Sequence, residues 1–190
     1  MASATLTPNG DATVGNWINE AASSSNLYLS IDEPTASQNG ATDVITTATQ
    51  SSTYRCTLSD TPSDFSTIDS TVTLKVAANK ATSKATTTIT FSIVDSSGNA
   101  LTGTSTPTLT TTYTVFSMTL TVTGATDKTT WDGAQIKMIT GSGGSGFVNV
   151  TAAQLDITYT ASGGGFTAKQ TRGRGFRAGS RSKTMKSVGI

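Results

Sequence analysis

No histidine occurs among the 190 residues, which removes the imidazole that Ser-His-Asp and Cys-His nucleophiles and the commonest zinc sites require. Cys56 is the sole cysteine, so no intramolecular disulfide framework and no thiolate cluster can form. It alternates between Arg55 and Thr57 and reads as a small buried hydrophobe. Asp32, Glu33 and Asp43 form a close acidic group that, with backbone carbonyls, could hold a calcium ion. Neighbours on a strand point to opposite faces, so Asp32 and Glu33 converge only if the backbone turns there, and a solvated strand end before Pro34 is the competing reading. The same geometry argues against a glycosidase pair, which needs two carboxyls facing each other across a cleft. Residues 141–146 are glycine-rich but lack the Lys-Ser/Thr ending of a phosphate-binding loop. A chain so equipped is expected to be no enzyme and to carry no cofactor.

Two other groups could bind rather than react. Trp17 and Trp131 could offer ring faces on which a sugar stacks, or could plug the ends of a sandwich, where a large side chain buries much area. Trp131 follows Thr129-Thr130 and precedes Asp132-Gly133 at an expected strand start, which favours the plug. The second group is a basic C-terminal run containing Arg172-Gly173-Arg174-Gly175-Phe176-Arg177, then Arg181, Lys183 and Lys186. Arginines spaced by glycine beside an aromatic can meet phosphates and stack on a base. Against a nucleic-acid partner stands the rest of the chain. Residues 1–168 carry six basic side chains against all twelve acids, a net of −6, whereas residues 169–190 carry seven basic side chains and no acid. An acidic body would repel a polyanion, while an arm docked on acidic protein surface satisfies both halves of the split in one contact.

The elements that must position these groups are strands. Threonine accounts for 40 residues, and a β-branched, charge-poor chain that keeps alternating Val, Ile, Leu and Phe reads as all-β. Period-two runs occur at Leu27–Ile31, Tyr54–Leu58, Val72–Ala77, Thr87–Val94, Tyr113–Val122, Ala134–Ile139 and Val148–Tyr159. Gly, Asn, Asp and Ser clusters separate them at 96–99, 123–127 and 141–146. About eight short strands so punctuated predict an antiparallel two-sheet jelly-roll sandwich. No long helix is expected, and only one turn is offered by Asn16–Ala22. The predicted organisation is a body over 1–162, a glycine-rich hinge over 163–168 and an extended basic arm over 169–190. The N-terminus lacks a basic region followed by an apolar core, and no stretch approaches a membrane span, so a soluble product of the cytoplasm with no membrane partner is expected.

The order of signals carries a resemblance. Leu6-Thr7-Pro8-Asn9-Gly10-Asp11 precedes Trp17, then come Leu27-Tyr28-Leu29-Ser30-Ile31-Asp32-Glu33-Pro34 and Asp43-Val44-Ile45. Thr71–Ala78, Thr130-Trp131-Asp132 and Ala152–Ile157 follow. Over residues 5–160 this resembles the small β-sandwich structural proteins of tailed-bacteriophage virions. The resemblance implies a virion jelly roll that decorates or cements a capsid, or sits in a tail or fibre; it does not extend to the basic arm, whose expected docking on a neighbouring copy or on the major capsid protein, in a dimer or trimer, follows from the charge split. Similar sandwiches serve as carbohydrate-binding modules of tails or fibres, the alternative reading.

Overall fold

A computed structural model describes residues 1–35, 43–82, 88–142 and 146–163. The chain folds into two antiparallel sheets packed as a jelly-roll sandwich. Its strands are β1 (Ala2–Leu6), β2 (Pro8–Thr13), β3 (Ile18–Asn19), β4 (Ile45–Thr47), β5 (Thr53–Leu58), β6 (Phe65–Lys80), β7 (Ile89–Val94), β8 (Thr114–Thr121), β9 (Gln135–Thr140) and β10 (Val148–Ala161). One sheet runs β3-β4-β10-β6-β8, with β1 also paired to β10; the other runs β2-β5-β9-β7. From β4 onward each successive strand changes sheet, the wrapping that defines this sandwich.

Alternation dictates the packing. In β5 the side chains of Tyr54, Cys56 and Leu58 are buried while those between them are half-buried, and β6 repeats the pattern with Val72, Leu74 and Val76. The inner faces of the two sheets meet in one core that includes Leu74, Leu155, Phe91, Ile136 and both tryptophans. Removing such apolar area from water supplies the main stabilising term, at roughly 25 cal/mol per Å². Threonine fills the outward positions, where its β-branch suits the pleat and its hydroxyl meets solvent.

The expected strand at Leu27–Ile31 is instead a 3-10 turn over Leu27–Ser30. Asp11 on β2 causes the difference: its carboxylate accepts from Leu27 N and Tyr28 N, both at 2.9 Å, and from the Tyr54 hydroxyl at 2.8 Å. That carboxylate satisfies the free amides at the start of the turn, for which Asn26 makes no side-chain cap. Nor does Trp131 open a strand. It lies in a five-residue helix, α1 (Lys128–Asp132), whose N-cap Asp127 accepts from Thr130 N at 3.0 Å. Asn16–Ala22 contains the two residues of β3 and tight turns rather than a helical turn. Gly163 opens the expected hinge; the rest of the hinge and the whole basic arm lie outside the described residues.

Candidate functional site

On the outer face of the six-stranded sheet, β1, β10 and β6 line a groove of about 590 Å³. The antiparallel register sets Thr5 beside Asp156 and Asp156 beside Thr73, with Gln154 beside Lys75 in the next row. These positions alternate with the buried Leu155, Ile157, Val72 and Leu74, so the pattern that builds the core also delivers polar groups to the groove. A bulge at Thr151 shifts β10 between its contacts with β4 and β1, and Ala153 N donates there to Ile31 O at 2.9 Å. The chain continuing from Ile31 then reaches Thr35, whose amide and hydroxyl donate to Gln154 Oε1 at 3.2 and 3.1 Å.

Asp156 is the centre of this face. Lys75 Nζ stands 2.7 Å from its Oδ2, while its Oδ1 accepts from the Thr5 hydroxyl at 2.7 Å and from Gln154 Nε2 at 3.1 Å. Burial acts to raise the Asp156 carboxyl, but hydrogen bonds from Lys75, Thr5 and Gln154, with the Lys75 charge, outweigh it and hold the group below the usual carboxylate range. The carboxylate is therefore an acceptor at neutral pH, and the ammonium keeps donors that the pair does not use. Ser3, Thr71, Thr73 and Thr158 add hydroxyls that make no hydrogen bond with any described residue, each able to donate and accept. Such a face can orient a polar, uncharged, hydroxyl-bearing ligand. It holds no thiol and no imidazole, and its carboxylate is tied into an ion pair.

The residues singled out in the sequence lie elsewhere. Trp17 and Trp131 are fully buried, so neither presents a ring face for stacking. Trp131 donates from Nε1 to Ala125 O at 2.9 Å; Trp17 lies tilted against Tyr54 with ring centroids 6.1 Å apart. Asp32, Glu33 and Asp43 are half-buried, and among the described residues no three His, Cys, Asp or Glu side chains come together to hold a cation. Arg172, Arg174, Phe176, Arg177, Arg181, Lys183 and Lys186 lie outside the described residues. Cys56 is buried, and desolvation, with the Asp11 charge adding to it, pushes its thiol up to about 12, which keeps it protonated and inert.

Thr5, Lys75, Gln154 and Asp156 were not singled out by type or spacing. Their only sequence signal is that each is the polar member of an alternating strand, and 149 residues separate Thr5 from Gln154 along the chain.

No protein-family model and no curated protein matches the sequence. Among solved structures, an arabinose-bound α-L-arabinofuranosidase is similar at 17% identity and a TM-score of 0.48, covering 81% of this chain and 26% of its own. This chain thus spans about a quarter of that protein. The C-terminal carbohydrate-binding module of a laminarinase from Zobellia galactanivorans is similar at 12% identity and a TM-score of 0.46, covering 83% of this chain and all of its own. A tailspike of bacteriophage CBA120 gives 12% identity and a TM-score of 0.41 over 83% of this chain and 19% of its own. None of these three is a capsid decoration protein.

Proposed function

We propose that the chain is a non-enzymatic binding module whose ligand is a neutral, hydroxyl-rich glycan held in the groove of the six-stranded sheet. The observation that carries this reading is the Lys75–Asp156–Gln154 array, fixed by Thr5 and Thr35 and flanked by hydroxyls with no partner among the described residues. Sugars present alternating donors and acceptors on every ring, and a face with a fixed acceptor, a fixed donor and adaptable hydroxyls complements them. With both tryptophans buried, recognition runs through ring edges and hydroxyls rather than through stacking.

A glycan array followed by calorimetric titration tests this. The expected result is a saturable neutral glycan whose affinity falls about ten- to a hundredfold in Asp156→Ala, as the loss of a charge-assisted hydrogen bond requires. The variant should stay folded, because a half-exposed ion pair contributes little to stability. An array without a saturable neutral glycan, or a hit indifferent to Asp156→Ala, contradicts the reading.

A second reading is favoured by the charge split between residues 1–168 and 169–190. The basic segment would tie the body to acidic protein surface in a virion, on the major capsid protein or on other copies. Light scattering on the full chain and on residues 1–168, at low and high salt, tests it. Attachment or oligomerisation lost on truncation and weakened by salt supports it, because screening shortens from about 10 Å at 0.1 M to 3 Å at 1 M. Indifference to both contradicts it.

A further inference from the structure

β8 ends the six-stranded sheet, pairing with β6 along Thr71–Ala78 in a register without a shift. Among the described residues its outer side is covered only at the C-terminal end, where Gly103 N donates to Thr121 O at 2.9 Å and Thr102 bridges to Val122. Over residues 114–120 no described residue makes a backbone hydrogen bond to that side. The other sheet treats its β7 edge differently, since bridges from Ala100 and Ser105 to Val94 and Phe91 cover it.

Exposed edges are normally blunted by lysine, proline, bulges or a covering segment, because a row of free amides and carbonyls templates another strand. Thr114-Val115-Phe116-Ser117-Met118-Thr119-Leu120-Thr121 has no charge, no proline and no bulge. Val115 is 40% exposed, and Phe116 is only partly buried against the core. An unprotected edge with apolar side chains on both faces is an interaction surface.

We propose that β8 pairs with β8 of a second copy, antiparallel about a two-fold axis, joining two six-stranded sheets into one. The occupant follows from self-complementarity. In a two-fold contact the same strand meets itself, so it must tolerate its own side chains, and this one places no charge opposite its twin. The backbone alternates donor and acceptor and is its own antiparallel partner. A charged peptide, by contrast, would find no countercharge along the strand. One added strand is a small interface, so the dimer is concentration-dependent. This inference does not rest on the glycan reading.

Sedimentation of the full-length protein over a wide concentration range tests it. A reversible dimer is expected, insensitive to salt and to truncation after residue 168. Ser117→Lys, and separately Thr119→Lys, should weaken it at least about tenfold while leaving the melting temperature near that of the parent, because both residues are exposed. A protein that is monomeric at every concentration overturns the proposal. So does a dimer that both lysines leave intact, or one that dissolves on truncation or in salt.

Discussion

Asp156 shows how a single side chain can be central and yet inconspicuous. Its carboxyl is held below the ordinary range in the folded protein, so its contribution is present above the unfolded value of about 3.9 and is lost as pH falls through the lower folded value. Asp132 behaves alike: burial raises it, but Lys128 and Thr61 outweigh that and lower it. A melting temperature flat from pH 8 to 5 and falling below about pH 4 is expected, with a shallower fall in Asp156→Asn; thermal scans across pH check it. Trp131 makes the opposite case. Trp131→Ala should cost about 3–5 kcal/mol of stability in denaturant titration, as buried Trp truncations do, so any binding lost in that variant reports unfolding. The burial of Trp131 was legible because a sandwich has few places for an indole beside threonine-rich strands. Asp156 was not, since a carboxylate on an alternating strand looks the same whether it meets Lys75 or water until the register is known.

Elements were legible where alternation was long and misleading where it was short. β6, β8 and β10 follow from their apolar periods, although β6 extends over 16 residues, well past the Val72–Ala77 run that signals it. Leu27–Ile31 alternates as a strand would, yet Asp11, sixteen residues upstream of Leu27, converts it into a 3-10 turn by binding two amides. Asp11→Ala should therefore destabilise the protein by about 2–3 kcal/mol in chemical denaturation, because it strands those amides and the Tyr54 hydroxyl. The turn before β3 depends on Gly15, with a φ of +58° and backbone so close that an added Cβ would meet Thr53 O. Gly15→Ala is expected to cost more than about 1 kcal/mol, whereas the same change at Gly103, where an added Cβ meets nothing, should be near neutral.

At the scale of the molecule, the wrapping of the chain gathers the groove from both ends of the sequence, Thr5 near the start and Asp156 near the end of the sandwich. Composition was enough for an all-β sandwich, since threonine and period-two hydrophobicity both point there. Strand order was beyond its reach, and strand order decides which polar residues share a face. The described core residues lie between Leu6 and Tyr159, so truncation after residue 168 should leave the melting temperature unchanged.

Whether the outer face of the six-stranded sheet holds a glycan is read by amide chemical-shift mapping during titration with the best neutral glycan from the array. Saturable shifts concentrated at residues 3–5, 71–75 and 154–158, and absent from that set in Asp156→Ala, are expected. Shifts confined to the β2-β5-β9-β7 face or to loops at the ends of the sandwich would contradict it.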